Sequence, residues 1–358
     1  MSEKVLMKGN EAIAEATIRA GCKLFFGYPI TPQNEIPEYM AKNMPKIGGL
    51  CLQAESEVAA INMVLGAAAA GARVITSSSS PGISLKGEGI SYIVGSDLPC
   101  VIVNVQRGGP GLGGIQPAQS DYNQATKALG HGDMHIIVLA PSSVQEMATL
   151  TGEAFDLADI YRMPVMLLAD GALGQMMEPV DLEAKEKRTL PPKDWACTGH
   201  GGKRPYNVVN SLYIQPDVLE KTIIERFKKY DEIKQKEVKY EEYLTDDAEI
   251  ILVSYGITAR IAKTAVKHAR TMGIKAGLFR PVTLFPFPSE QLDRLADKTS
   301  VKTFLSVEMN MGQMINDIKV AINCKKDVYH FGRTGGVIPT PDEILENIKK
   351  YAAVGGKI

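Results

Sequence analysis

The sequence predicts an α/β fold built on a parallel sheet, and two observations carry the prediction. Short apolar runs of strand length, at residues 22–26, 98–105, 135–140 and 163–169, alternate with segments whose apolar positions fall at helical spacing. The chain after these runs turns through Gly, Pro, Ser and Thr, which places polar loops at the carboxyl ends of the strands, where open α/β sheets put their ligands. With 358 residues and 45% hydrophobic side chains, there is room for two domains with sizeable cores.

Residues 10–20 open with Asn10 as a capping residue, continue with good helix formers, and stop at Gly21. The buried strand at 22–26 leads into Gly27-Tyr28-Pro29-Ile30-Thr31-Pro32-Gln33-Asn34, after which a helix starts near Glu35. Pro29 and Pro32 fix φ on both sides of Thr31 and make the loop stiff. Such a loop holds a small anion at little ordering cost; it also reads as a strand-to-helix turn with Thr31 as the cap. A strand at 49–53 precedes a helix of small residues, 55–71, suited to tight packing in the core or at a subunit contact. The strand at 73–76 enters a serine-rich loop, 77–84, and the strand at 98–105 enters the glycine-rich loop 106–114. A helix capped at Ser142-Ser143 follows the strand at 135–140. From Glu183 to about Asp247 the chain turns charged and polar, and 218–243 reads as a solvated helical connector. A second α/β unit starts with a strand at 250–256 and a helix at 258–272, and its last helix opens on the capping box Thr340-Pro341-Asp342-Glu343.

Several function classes are disfavoured. A net charge of −1 offers no large basic field to nucleic acid or to an anionic membrane surface. The start Met1-Ser2-Glu3-Lys4-Val5-Leu6 lacks signal-peptide features and no run of about twenty apolar residues occurs, so a cytoplasmic protein is expected. Cys22, Cys51, Cys100, Cys197 and Cys324 form no CxxC, and the five histidines form no HExxH, so no metal or iron–sulfur cluster is expected on this chain. Cys22, Cys51 and Cys100 lie beside apolar runs and read as core. Gly109-Pro110-Gly111-Leu112-Gly113-Gly114 matches GxGxxG, yet Pro117 follows where a dinucleotide-binding helix would have to begin.

The loops that carry Thr31, residues 77–84 and Arg107, with Glu57 opening a helix, all fall at one sheet edge. An arginine with neighbouring hydroxyls is what a carboxylate needs. In combination, Gly27-Tyr28-Pro29-Ile30-Thr31-Pro32, Glu55-Ser56-Glu57-Val58-Ala59-Ala60, Ser78-Ser79-Ser80-Pro81-Gly82-Ile83-Ser84 and Gln106-Arg107-Gly108-Gly109-Pro110 closely resemble the alpha subunit of the 2-oxoacid:ferredoxin oxidoreductases, from about Gly9 to the C-terminus. These are thiamine-diphosphate and iron–sulfur enzymes. The resemblance implies a pyrimidine-side thiamine-diphosphate-binding domain at 1–185, a charged connector at 186–247 and a smaller transketolase C-terminal-like domain at 248–358.

It further implies roles for single residues. Glu57 is the catalytic carboxylate at the pyrimidine N1′, favouring the imino tautomer whose nitrogen deprotonates thiazolium C2. Thr31 and Arg107 hold the 2-oxoacid carboxylate, and Pro29, Ile30, Ser80, Pro81 and Gly82 join Glu57 in binding the cofactor. The GDG motif that binds Mg²⁺ and diphosphate in this family is reduced here to Ala169-Asp170-Gly171. The cofactor is therefore shared with a beta subunit that supplies the diphosphate and Mg²⁺ site. Iron–sulfur clusters belong to a ferredoxin-like subunit, and a gamma subunit completes the complex. Lys86 departs from the family, which usually carries an apolar residue there. Residues 36–39, 53–57 and 173–179 look most like the 2-oxoisovalerate enzyme, which turns a branched-chain 2-oxoacid, CoA and oxidised ferredoxin into acyl-CoA, CO₂ and reduced ferredoxin. The 2-oxoglutarate enzyme is the near alternative, and a catalytically silent assembly subunit is another. Retention of Glu57, Thr31 and Arg107 together counts against the silent reading.

Calorimetry with Mg²⁺ and thiamine diphosphate is expected to show no tight binding to this chain by itself, and tight binding once a GDG-bearing partner is added.

Overall fold

Two parallel-rich sheets, of seven and five strands, organise a computed structural model that describes residues 4–183 and 188–354. The boundary expected between 185 and 186 lies outside the described residues, as do Met1, Ser2 and Glu3. In the N-terminal half the strands are β1 (Val5–Lys8), β2 (Leu24–Gly27), β3 (Leu50–Gln53), β4 (Val74–Ser78), β5 (Cys100–Gln106), β6 (Ile137–Leu139), β7 (Pro164–Asp170) and β8 (Met177–Val180). In the C-terminal half they are β9 (Tyr240–Tyr243), β10 (Ile250–Val253), β11 (Ala276–Pro281), β12 (Thr283–Phe285), β13 (Thr303–Glu308) and β14 (Asp327–Gly332). The larger sheet runs β12-β6-β7-β5-β4-β2-β3 and is parallel except at β12. Parallel strands covered on both faces are near-continuously apolar. All seven residues of β5 and all seven of β7 are buried.

The helices over this sheet are α1 (Gly9–Arg19), α2 (Glu35–Asn43), α3 (Glu57–Ala69), α4 (Ser80–Gly95), α5 (Val144–Tyr161) and α6 (Gly171–Gln175). They are followed by α7 (Pro216–Lys236), α8 (Gly256–Thr271), α9 (Ser289–Ala296), α10 (Met314–Ala321) and α11 (Pro341–Val354). Local capping chemistry places several starts. Ser56 Oγ accepts from Ala59 N at the head of α3, Ser143 Oγ from Glu146 N at the head of α5, and Thr340 and Glu343 exchange both bonds of a capping box before α11. Among the described residues no helix is long and apolar enough to cross a membrane.

Four elements differ from the sequence reading. The expected loop 77–84 does not exist as a loop: β4 continues through Ser78 and α4 starts at Ser80, because Pro81 is tolerated in a first helical turn and the Asn104 side chain accepts the Ser80 N–H at 3.1 Å. Asn10 caps nothing. Helix α1 starts one residue earlier, with Glu11 accepting the Lys8 N–H at 3.0 Å, and Asn10 is buried, donating to Pro32 O and Glu35 Oε2, each at 2.8 Å. The 218–243 stretch is helical only as far as Lys236; Arg226, Tyr230 and Ile233 bury one face of α7, and β9 then pairs antiparallel with β11 at the edge of the smaller sheet. Finally, β12 leaves the C-terminal half and pairs with β6, adding a strand to the larger sheet.

One apolar core joins the two sheets, running from Phe25 and Val103 to Ile251, Val253 and Phe304. Gln119 fastens the halves at a single buried side chain. Its Nε2 donates to Tyr255 O at 2.8 Å, its Oε1 accepts from Thr258 Oγ1 at 2.9 Å and from Met309 N at 3.1 Å, and its own carbonyl accepts from Tyr255 and Asn310. Cys22 and Cys100 are buried as expected and Cys51 is half-buried.

Gln119→Leu keeps the bulk but strands the Met309 N–H in the interior and removes one of the donors to Tyr255 O, which retains Thr258 Oγ1. A loss of about 3 kcal/mol in unfolding free energy is expected, measured by chemical denaturation.

Candidate active site

Parallel register brings the carboxyl ends of β2, β3, β4, β5 and β7 to one edge of the larger sheet, and the residues singled out in the sequence gather there. They form two adjoining groups.

The first group is built on Arg107, only 8% exposed, immediately after β5. Its Nη1 donates to Thr31 O at 3.0 Å and its Nη2 to Leu112 O at 3.3 Å, drawing the Thr31 loop and the tip of the glycine loop together. Its Nε is buried with no protein partner. Its backbone N–H donates to Ser80 Oγ at 3.0 Å, and Ser80 Oγ donates to Asp121 Oδ2 at 2.6 Å. Asn104 Nδ2 also donates to Asp121 Oδ2, at 2.9 Å. Burial raises the Asp121 carboxyl, and the Ser80 and Asn104 bonds pull it back. This network holds Ser80 at φ 20°, a left-handed value that costs energy for a residue with a side chain and persists only when neighbours enforce it.

The second group is built on Glu57, the first residue of α3. Glu57 is buried and Glu55 exposed, which separates the two carboxylates of that motif. The Glu57 carboxylate packs on Gly82 in the first turn of α4. A Cβ at Gly82 would stand 2.6 Å from Glu57 Oε1 and collide with Ser78 Oγ, so only glycine admits this approach. Ser78 Oγ and Ser79 Oγ are buried without partners, and the Glu57 carboxylate makes no hydrogen bond or ion pair among the described residues. A carboxylate and hydroxyls with unused bonding capacity, set against a glycine cradle, fit a polar heterocycle such as an aminopyrimidine. Pro81 is half-buried beside Gly82, while Pro29 is exposed and Ile30 half-buried on the Thr31 loop.

Thr31 is not the cap of α2. The N-cap is Asn34, and Thr31 Oγ1 accepts a long 3.4 Å bond from Asn34 Nδ2. After Arg107 the glycine loop closes on itself, with Gly108 N–H bonded to Gln116 O and Arg107 bridged to Pro117, and no helix begins at its end; the next helical turns run only over residues 122–128. Asp170 of Ala169-Asp170-Gly171 is spent on structure. It is fully buried, its Oδ1 accepts from Ala172 N and Leu173 N, and burial pushes its carboxyl up to about 6.

Three contributors escaped the sequence reading. Gln33 is fully buried, accepts from Ser77 Oγ at 2.5 Å and donates to Tyr28 O at 3.3 Å, tying the Thr31 loop to β4. Asn104 had a visible signal, an amide inside the apolar run 100–105, whereas Asp121 had none.

A mostly parallel sheet with a buried carboxylate cradle and an arginine at its carboxyl edge is the form of a cofactor-dependent α/β enzyme domain, and comparison with known proteins gives the class as thiamine-diphosphate-binding. Residues 15–243 match the family described as pyruvate flavodoxin/ferredoxin oxidoreductase, thiamine diphosphate-binding, and 248–344 match pyruvate:ferredoxin oxidoreductase core domain II. The chain belongs to this family of oxidoreductase subunits. It is 51% identical to the ketoisovalerate oxidoreductase subunit VorB of Methanothermobacter marburgensis over 97% of each chain. It is 37% identical to the 2-oxoglutarate synthase subunit KorA of the same organism over 97% of this chain and 99% of that one. Among solved structures, the 2-oxoglutarate:ferredoxin oxidoreductase from Magnetococcus marinus superposes with a TM-score of 0.86 at 26% identity, covering 98% of this chain and 66% of that one. A split-gene transketolase shares the fold at a TM-score of 0.59 and 13% identity.

Gly82→Ala is expected to leave the fold intact but push the Glu57 carboxylate aside, cutting turnover of the assembled enzyme by roughly 10²-fold, as displacements of about 1 Å do. Steady-state kinetics alongside a thermal melt check both halves of that statement.

Proposed function

We propose that this chain is the alpha subunit of a CoA-dependent 2-oxoacid:ferredoxin oxidoreductase that takes branched apolar 2-oxoacids, 2-oxoisovalerate foremost. The observation that carries the reading is the unpartnered Arg107 Nε beside Thr31. The guanidinium spends two of its N–H groups on loop carbonyls and keeps others, including the buried Nε, for a bidentate hold on a carboxylate. The loop hydroxyl of Thr31 adds a neutral donor.

The choice of an apolar acyl side chain rests on charge. A second carboxylate, as in 2-oxoglutarate, needs a second cation. The two lysines near these loops are committed elsewhere. Lys86 is buried behind β4, bonded to Thr76 and Ser77, and Lys127 pairs with Asp317 at 2.6 Å. The apolar residues next to the carbonyls that Arg107 holds are Leu112 itself and Ile30, which precedes Thr31, and neither brings a charge to a substrate side chain. The 51% identity to a ketoisovalerate oxidoreductase subunit points the same way.

Thiamine diphosphate, when bound, supplies the electron sink for decarboxylation. Glu57 receives the aminopyrimidine edge as a proton-accepting carboxylate, Gly82 lets the two approach, and Pro29, Ile30, Ser80 and Pro81 line the rest. The reading assigns the diphosphate and Mg²⁺ to a beta subunit, since Asp170 is consumed as the cap of α6. It assigns the clusters to a ferredoxin-like subunit beside a gamma subunit, and places the complex in the cytoplasm. Exposed Leu112, Ile115, Val337 and Ile338, on segments that meet where Gln116 packs on Gly336, give such partners an apolar surface around the site.

In the assembled enzyme kcat/KM is expected to be higher for 2-oxoisovalerate than for 2-oxoglutarate, and the reverse order overturns the substrate assignment. Glu57→Gln is expected to lower turnover by about 10²- to 10⁴-fold with little change in cofactor affinity. C2–H exchange of the bound cofactor, followed by NMR, reads the loss directly, and exchange at the wild-type rate removes Glu57 from the mechanism.

A further inference from the structure

The chemistry so far leaves Lys86 without a task, and its surroundings suggest one. Its side chain is fully buried in α4, a costly place for an ammonium. Nζ donates to Thr76 Oγ1 at 2.5 Å and to Ser77 O at 3.2 Å, both neutral acceptors on β4. Gly82, the residue on which the Glu57 carboxylate packs, lies one helical turn earlier and on the same face. Thr76 and Ser78, two apart on β4, share one face of that strand, so the ammonium on Thr76 and the Glu57 carboxylate that meets Ser78 at Gly82 lie along the same face. The other titratable group whose charge acts on the ammonium is the buried Cys100 thiol of β5. Burial pushes the Cys100 thiol up to about 12, so it stays neutral in the working range. No direct ion pair joins Lys86 and Glu57 among the described residues, and the attraction acts through space.

We propose that Lys86 is a positioning residue for the Glu57 carboxylate, its buried ammonium serving as the counter-charge that keeps Glu57 ionised once the site is closed from water. This rests on the role of Glu57 given above. Removing the ammonium leaves the ionised carboxylate of a dry site without compensation, and protonation then competes at a higher pH.

The test uses Lys86→Met, close to isosteric and uncharged, with Lys86→Arg and Glu57→Gln alongside. In the full chain, folding lowers the proton affinity of Lys86 from 10.5 to about 7, chiefly by desolvation. The unfolded chain therefore binds the extra proton between those values, and this group's contribution makes stability rise with pH across that window. Lys86→Met should lack the rise and melt higher than wild type below pH 7. In the assembled enzyme the acid limb of the kcat/KM profile should move up by about one pH unit in Lys86→Met, a roughly tenfold loss on that limb, and stay in place in Lys86→Arg. A ¹³C NMR titration of the Glu57 carboxylate in the full chain, assigned by difference from Glu57→Gln, should show the same upward move without any turnover. An unmoved limb and an unmoved titration in folded Lys86→Met overturn the proposal and leave Lys86 as core filling. Should Lys86→Met not fold, Lys86→Gln keeps a donor for Thr76 and Ser77 but no charge; its acid limb should move up likewise, and an unmoved limb there overturns the proposal too. Wild-type turnover in Glu57→Gln would sink the role of Glu57 itself; an inactive Gln variant with an unmoved Lys86→Met limb sinks only the role of Lys86.

Discussion

The hydrogen bond from Ser80 Oγ to Asp121 Oδ2 is the constraint on which the candidate site depends. Asp121 is a nearly buried carboxylate, and such a group must have its oxygens satisfied. It draws Ser80 from α4 and Asn104 from β5 to the same oxygen. Ser80 is thereby fixed at a positive φ, and that backbone angle starts α4 directly behind β4 without a loop between them. Two consequences follow in space. Ser80 Oγ accepts the Arg107 N–H, which sets where the guanidinium leaves β5, and the first turn of α4 brings Gly82 against Glu57.

The C-terminal half belongs to the same mechanical unit. Gln119, two residues before Asp121, reaches into that half through both ends of its amide. The strand β12 extends the larger sheet, and Arg280 on β11 forms a two-pronged pair with Glu146 on α5, with bonds of 2.9 and 2.8 Å. The segment holding Asp121 is thus held from two sides, and the second domain stiffens a site to which it lends few side chains.

Polar groups at the sheet edge divide by whether their bonding capacity is already used. Asp170, Gln33 and Lys127 have their partners inside the protein and act as a cap, a tie and a surface pair, and the Asn10 amide spends its N–H groups on Pro32 O and Glu35 while its Oδ1 stays unpaired. Arg107 Nε, Ser78 Oγ and Ser79 Oγ are buried and unpaired, and the Glu57 carboxylate has no direct partner among the described residues. Buried polar groups left unsatisfied cost stability and concentrate where a ligand completes them. Strain at Ser80 and the orphaned donors occupy the same corner of the sheet edge, as expected of a site shaped for binding rather than for stability.

Much of the architecture was legible in the sequence because it depends on neighbours a few residues apart. Apolar runs marked the strands, Ser56, Ser143 and the Thr340 box marked helix starts, and Pro117 excluded a dinucleotide-binding helix after the glycine loop. Glu57 at a helix start and Arg107 at a strand end were readable for the same reason. Residues 77–84 misled because serine suits loops and strand ends alike, and the partner that decides, Asn104, is 24 positions from Ser80. The burial of Lys86, the tie made by Gln33, the crossing of β12 and the fastening by Gln119 were equally hidden. Each satisfies a backbone or side-chain group that only folding brings near: Thr76 for Lys86, Ser77 for Gln33, Val138 for Phe285, and Met309 for Gln119, 190 positions away. The sequence by itself determined which elements form and which chemical groups stand at their ends, since local propensity and periodicity act within a turn or two. Which of those groups are used up inside the protein and which stay free for a ligand was decided only by tertiary packing, because a buried hydrogen bond depends on distance in space and not along the chain.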